Sequence, residues 1–361
     1  MGIASNRGAA MYIDPKLSCR RILIVTDAWR PQINGVVRTL ESLAKQLREW
    51  GHEVSFLTPE PFWTVPVPTY PEIRLSLASR RSVFLAMVRA RAHHIHIATE
   101  GPLGLLARRY CLERSKAFTT SLHTRFPEYV AARLPVPEEW SYGYLRWFHD
   151  PAVATMVPTP SLRSELQAHG FSHLTLWGRG VDGQRFRPGP KTMFADLPGP
   201  HLLYVGRVSA EKNVAEFLAL DVPGSKIVVG DGPERAHLER LYPEVHFAGY
   251  LHGEALAAAY RSADVFVFPS RTDTFGNVLT EALASGTPVA AYPVTGPRDI
   301  VTDPRAGTLS EDLGLAVRRS LTLARSHARA LGEQFTWAAS AQQFVSALAP
   351  AHAAERLEKA I

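Results

Sequence analysis

Cysteine occurs only twice in the 361 residues, at Cys19 and Cys111. Two thiols cannot build a disulfide framework, so a reducing, cytoplasmic setting is expected. Long apolar runs are missing as well: nothing approaches the roughly 20 residues that span a bilayer. The first 20 residues hold scattered polar and charged groups without an apolar centre, so no secretory leader is expected. Residues 1–19 read as a loose extension, with Met11 as an alternative start. Two phosphate-binding signatures are also absent. No G-x-G-x-x-G follows the first strand, which argues against a nicotinamide site. No G-x-x-x-x-G-K-S/T occurs anywhere, which argues against a P-loop nucleotidase.

Negative charge is scarce in the first half. Residues 1–185 hold 23 Lys+Arg and 15 Asp+Glu, a balance of +8, and the remainder carries −2 of the net +6. A basic first half attracts something anionic: nucleic acid, an anionic membrane or an acidic substrate. Nucleic acid is the weakest of these, because no recognition motif is present. Solvated surface charge is the plain alternative. With 46% hydrophobic and 20% charged residues, the chain can pack a sizeable core in one or two domains.

The chain opens with Arg21-Ile22-Leu23-Ile24-Val25-Thr26, which reads as a buried strand. A loop through Ile33-Asn34-Gly35 follows, then a helix marked by Leu40, Leu43, Ala44 and Leu47 and closed by Gly51, then a strand over Glu53–Leu57. A βαβ opening predicts a doubly wound α/β sheet. Pro59 to Pro71 holds five prolines and reads as an irregular loop. Arg74, Arg80, Arg81, Arg89 and Arg91 alternate with apolar residues, the pattern of a basic helix lying on an anionic membrane or of an ordinary domain helix. His93-His94-x-His96 could suggest metal, but its alternation with Ile95 and Ile97 reads more simply as a strand. Ser161 is the expected cap of a helix after the strand Ala154–Val157. Pro188 to Pro200 lacks apolar periodicity and is the expected interdomain hinge.

The most informative stretch is Ser270–Val289. An apolar strand, Ala263–Phe268, runs into a polar loop, and Val278, Leu279, Ala282 and Leu283 then recur at helical spacing. Phe275, Gly276 and Asn277 sit where that helix begins, so their N–H groups lack intrahelical partners and can hold an anion. Glu281 lies one turn on from Asn277, and Asp273 precedes both. Carboxylates accept hydrogen bonds from sugar hydroxyls, so amides and acids together suit a nucleotide sugar. Simple capping by Asn277 or Thr274, with a solvated Glu281, fits the same residues. Upstream, Gly206-Arg207 and Lys212 follow a strand over Leu202–Val205, a plausible diphosphate clamp in which Arg supplies a fork of donors and Lys a point charge.

Asp273-x7-Glu281, with Phe275-Gly276-Asn277 inside it, resembles the E-x7-E motif of the retaining GT-B glycosyltransferases of family four. The first acid is Asp here where the family has Glu, one methylene shorter. Arg207 and Lys212 resemble its G-R-x5-K motif, whose cations bind the donor diphosphate. Ser121-Leu122-His123-Thr124 resembles its S-x-H-T loop, which implies that His123 contacts the donor sugar near the reacting carbon. Gly35 corresponds to a glycine near the donor phosphates, and Gly230-Asp231-Gly232-Pro233 to a turn near the nucleotide.

The resemblance implies two Rossmann-like domains facing a cleft: residues 20–187 on the acceptor side, 200–334 binding the nucleotide sugar, and 335–361 forming a helix that crosses back. It implies His123, Arg207 and Lys212 as catalytic residues, with Gly35, Asp273, Phe275, Gly276, Asn277 and Glu281 binding the donor and no metal or other cofactor. Trp177-Gly178-Arg179-Gly180-Val181-Asp182 and Glu100-Gly101-Pro102-Leu103-Gly104 resemble the branch that glycosylates diacylglycerol and related lipids. The expectation is therefore a UDP-linked donor and a lipid acceptor at the anionic inner face of a membrane. A GDP-mannose-dependent mannosyltransferase is the nearest alternative. A non-catalytic sugar or nucleotide binder is the alternative of a different class.

Overall fold

The computed structural model describes residues 20–30, 35–67, 70–123 and 137–358. The readings made for residues 1–19, for Ile33-Asn34 and for Thr124 lie outside these residues.

The first half runs β1 (Arg21–Val25), α1 (Gly35–Glu49), β2 (Glu53–Leu57), β3 (Thr64–Val67), β4 (Tyr70–Ser76), α2 (Arg80–Ala90), β5 (His94–Ile97), α3 (Pro102–Glu113), β6 (Thr119–Ser121), α4 (Glu138–His149), β7 (Ala154–Val157), α5 (Pro160–Ala168) and β8 (Leu174–Leu176). The second runs β9 (His201–Val205), a 3₁₀ turn (Ala210–Lys212), α6 (Val214–Leu218), β10 (Ser225–Val229), α7 (Arg235–Leu241), β11 (His246–Gly249), α8 (Gly253–Ser262), β12 (Val265–Phe268), α9 (Asn277–Ala284), β13 (Val289–Ala291), α10 (Pro297–Ile300), β14 (Gly307–Leu309), α11 (Leu313–Ser320), α12 (Arg325–Gly332) and α13 (Trp337–Glu358).

Alternation of apolar strands with amphipathic helices forces parallel pairing, and two such sheets form. Their orders are β2-β1-β5-β6-β7-β8 and β11-β10-β9-β12-β13-β14, every pairing parallel. The order reverses beside β1 in one sheet and beside β9 in the other, and ligands bind at such switch points, beyond the carboxyl ends of the strands. The helices cover both faces of each sheet. α1 buries Val37, Leu40, Leu43, Ala44 and Leu47, the stripe its spacing predicts. α13 lays Ala341, Phe344 and Leu348 against Ile22, Ile24 and Leu40 of the first half.

Two local expectations are corrected, and the segment expected as the hinge has packing of its own. The proline-rich stretch is not wholly irregular: β3 and β4 pair antiparallel as a separate two-stranded ribbon. Proline is tolerated on an edge strand because the N–H it lacks would face solvent, and Pro66 pairs opposite Arg74 at such an edge. The cap of α5 is Thr159, whose hydroxyl accepts from Leu162 N, while Pro160 and Ser161 already lie within the helix. Pro188 to Pro200 has no helix or strand, yet it is not a free linker. The Thr192 and Met193 N–H groups donate to Ser262 Oγ, and Phe194 is buried in the core of the second half.

Candidate functional site

The loops after β9 and β12 flank the switch point of the second sheet and hold its charged residues. Lys212 ends the 3₁₀ turn and donates to Asp273 Oδ1 at 2.6 Å. Burial works against the charge of Asp273, but the neighbouring ammonium outweighs it and holds the carboxyl below its usual range. The shorter Asp thus reaches the lysine across the two loops. Arg207 stands at the start of the same turn, its carbonyl accepting from Tyr204 Oη at 2.7 Å. Gly230 and Gly232 support this turn from below. A Cβ on either would collide with the carbonyl of Gly206 or Val208, so the two turns can stack only without side chains.

Gly276 caps α9 with φ 85° and ψ 72°, a left-handed conformation, and a Cβ there would lie 2.9 Å from Leu279. Phe275 turns its side chain into the core, edge-on to Phe335, so only its backbone faces the loop. Asn277 is the first helical residue. Glu281, one turn later, accepts from Tyr260 Oη at 2.9 Å. Burial pushes its carboxyl up to about 6, against that hydrogen bond and the charges of Arg38 and Arg185.

On the first half, His123 follows β6. Its Nε2 lies 2.9 Å from Ser121 Oγ and its Nδ1 lies 3.1 Å from Arg179 Nη2. Burial first, then Arg179 and His96, hold its pKa well below the ordinary imidazole value. His96 makes no metal set. Its ring bridges Thr119 Oγ1 at 2.9 Å and Ser121 Oγ at 3.0 Å inside the sheet. Gly35 opens α1, and a Cβ there would sit 3.6 Å from Asn277 Nδ2, so the two halves approach each other at this point.

Further contacts join the halves near this point. Thr274 Oγ1 donates to the His123 carbonyl at 2.8 Å, and Thr159 Oγ1 reaches the Thr274 carbonyl at 3.5 Å. The Ser161 N–H donates to Asp299 Oδ1 at 2.9 Å, which places a carboxylate from α10 at the start of α5, where a helix favours negative charge. His123, Gly35, Asp273, Asn277, Lys212 and Arg207 are thus gathered around facing strand ends. Tyr260, Arg38, Arg179 and Asp299, none of them singled out by the sequence, adjoin these residues. Arg179 lies inside the Trp177–Asp182 stretch, but its contact with His123 spans 56 residues. Tyr260 sits on an apolar helix with nothing local to distinguish it from core.

A family model described as Glycosyltransferase Family 4 matches residues 33–185, and one described as Glycosyl transferases group 1 matches residues 199–323. A GDP-mannose-dependent alpha-mannosyltransferase of Mycolicibacterium smegmatis is 32% identical over 80% of this chain and 84% of its own. The sulfoquinovosyl transferase SQD2 of Arabidopsis thaliana is 31% identical over 76% of this chain and 60% of its own. An alpha-monoglucosyldiacylglycerol synthase of Streptococcus pneumoniae is 26% identical over 83% and 78%. Sucrose-phosphate synthase from Thermosynechococcus elongatus shares the fold at TM-score 0.73 and 23% identity, over 93% of this chain and 100% of its own. The second sheet and every strand of the first except β1 lie within segments matched by these models, and the similarity to the mycobacterial enzyme runs through most of the chain: the protein is a glycosyltransferase, a member of the GT-B enzymes of group 1 and family 4.

Proposed function

We propose that the protein transfers a hexose from a nucleoside diphosphate sugar to a lipid hydroxyl at an anionic membrane surface, on its cytoplasmic side, with retention of anomeric configuration. One observation carries the reading. The loop that holds Asp273 beside Lys212 also donates, through Thr274, to the carbonyl of His123. The diphosphate-binding cations and the sugar-facing histidine therefore converge on one loop.

In this reading the diphosphate lies against Arg207, Lys212 and the N–H groups at Gly276 and Asn277. Glu281 accepts from the ribose hydroxyls. The bond between sugar C1 and the diphosphate oxygen breaks, and the acceptor oxygen attacks C1 from the face the diphosphate leaves. The acceptor proton passes to the departing diphosphate, whose charge Arg207 and Lys212 stabilise. No divalent metal is assigned, because these two cations meet the charge a metal would neutralise.

The mannosyltransferase relative, 32% identical, supports GDP-mannose as the donor beside the UDP-linked donor that the sequence alone favours. A UDP-linked glucosyl donor is the second reading; the name of the glucosyldiacylglycerol synthase, 26% identical, supports a glucosyl group and a diacylglycerol acceptor. α2 adds support for the membrane. It leaves Leu85 and Val88 exposed beside Arg81 and Arg89, with Leu77 and Arg80 just before them, and no helix among the described residues is long and apolar enough to cross a bilayer. The experiment is a transfer assay in EDTA, with GDP-mannose or UDP-glucose, on vesicles containing diacylglycerol and either neutral or anionic phospholipid. A glycolipid product that forms faster on anionic vesicles, and less so as salt rises, supports the reading. Release of free sugar only, with every acceptor, would reject it.

A further inference from the structure

Around His123 the hydrogen bonds run in one direction. A guanidinium carries donors and no acceptor, so Arg179 Nη2, 3.1 Å away, must donate to Nδ1 of His123. The ring proton then sits on Nε2 and is given to Ser121 Oγ at 2.9 Å. Ser121 keeps its own proton for His96 Nε2 at 3.0 Å, and His96 Nδ1–H goes to Thr119 Oγ1 at 2.9 Å. Both nitrogens of His123 are occupied, and one proton serves each contact.

Arg179 is itself held. Only 5% of it is exposed, Nη1 donates to the Trp177 carbonyl at 2.6 Å, and the guanidinium lies 4.2 Å over the Trp177 ring. The chain on either side is fastened to the last helix and its approach, through one side chain and two backbone N–H groups. Trp177 Nε1 donates to Ser340 Oγ at 3.1 Å, Gly178 N to Gln343 Oε1 at 2.7 Å, and Val181 N to the Phe335 carbonyl at 2.9 Å.

We propose that Arg179 is a positioning residue for sugar transfer: it fixes His123 as the neutral Nε2–H tautomer and removes that ring from any acid–base step. The proposal rests on the reading of His123 as a wall of the sugar site. As the bond at sugar C1 breaks, positive charge gathers on the ring of the sugar. A histidinium beside it would repel that charge, whereas a neutral imidazole with both nitrogens engaged is an inert wall. The charged and titratable groups facing His123 are Arg179, from the segment after β8, and His96, from β5. The next pair outward, His149 and Glu100, is 3.2 Å apart. Burial keeps His96 neutral as well, its pKa lowered to about 3. The contribution of His123 is then its shape, together with a carbonyl tied to Thr274.

Long-range nitrogen–proton correlation spectra of the imidazoles in the intact protein test this, with His123 assigned by comparison with His123→Gln. The expected result is an Nε2–H pattern that stays constant from about pH 5 to about pH 8, the range in which a free imidazole titrates. An Nδ1–H pattern, or titration of wild-type His123 in that range, overturns the proposal without requiring any Arg179 variant to fold. Arg179→Met is expected to release the tautomer, so that the Nδ1–H form of His123 is populated, and to lower kcat about tenfold, with the donor KM within about threefold of wild type, and Arg179→Lys to restore part of the rate. An unchanged His123 spectrum in Arg179→Met also overturns it. Full transfer activity in His123→Ala would remove its target, a failure of the underlying reading that is distinct from any result on the tautomer.

Discussion

The two six-stranded sheets are both wholly parallel and differ in what they bury. In the second, β9, β10, β12 and β13 bury leucine, isoleucine, valine, phenylalanine, alanine and one tyrosine. In the first, β5, β6 and β7 bury His94, His96, Thr119, Thr120, Ser121 and Thr155. Thr120 and Thr155 pair across strands at 3.0 Å, and His149 reaches Thr120 at 2.9 Å. Buried polar groups cost free energy unless hydrogen-bonded; the first sheet meets that cost with bonds among His96, Thr119, Thr120, Ser121 and Thr155, whereas the second is an apolar platform. The second half therefore keeps its chemistry in loops at the strand ends, while the first carries its chemistry into the sheet. This suggests a division of labour, in which the second half binds the donor and the first shapes the environment of the reacting sugar.

The sharpest way to break that division is to remove a cation from the second half. Lys212→Ala is expected to lower kcat/KM about 10²- to 10³-fold, because it strips charge from the leaving diphosphate and strands Asp273. Steady-state transfer assays check this, and a loss below about threefold would contradict it. Next in size, Glu281→Gln should weaken donor binding about tenfold by removing an acceptor from the ribose. Because burial raises the carboxyl of Glu281 to about 6, the wild type binds best with that group ionised. Its affinity should fall as pH drops through that value, while the variant stays flat. Calorimetric titrations at several pH values measure this, and parallel profiles for the two proteins would exclude Glu281 as the titrating group.

Smaller effects probe the contacts between the halves. Thr274→Val removes the donor to the His123 carbonyl, a loss of about 1 kcal/mol. It should appear as a several-fold fall in kcat with little change in nucleotide affinity, and an affinity loss without a rate loss would assign Thr274 to donor binding instead. Asp299→Ala removes the carboxylate at the start of α5, worth about 0.5–1 kcal/mol. Faster amide exchange at Ser161, with transfer nearly unchanged, is the expected outcome. Unchanged exchange there would mean the contact is not kept in solution.

The same asymmetry decides how much could be read from sequence. The alternation of strands and helices predicts both sheets, and the loops of the second half announce themselves because their residues fall in two short clusters, Arg207 with Lys212 and Asp273 with Gly276 and Glu281, each just after a strand end. Phe275 shows the limit of such reading. It lies inside the motif, yet its side chain belongs to the core. The first half hides more. His96 looks like part of a metal cluster when its neighbours are read along the chain, but its partners Thr119 and Ser121 lie on the next strand, more than 20 residues away. Pairings of that kind follow from register rather than local pattern. Prolines masked the β3–β4 ribbon because their propensity argues against strands everywhere except at an edge. The packing of Phe194 against the second half is likewise invisible in a stretch without periodicity.

The account stands or falls on where donor binding resides. The direct measurement is a calorimetric titration of GDP and UDP into the wild type, Lys212→Ala and His123→Ala, with transfer measured on the same preparations. The account predicts that the wild type binds one of the two nucleotides, that Lys212→Ala loses most of that binding, and that His123→Ala keeps it while losing transfer. Undiminished binding in Lys212→Ala, or an equal loss of binding in His123→Ala, would contradict the division between the two halves.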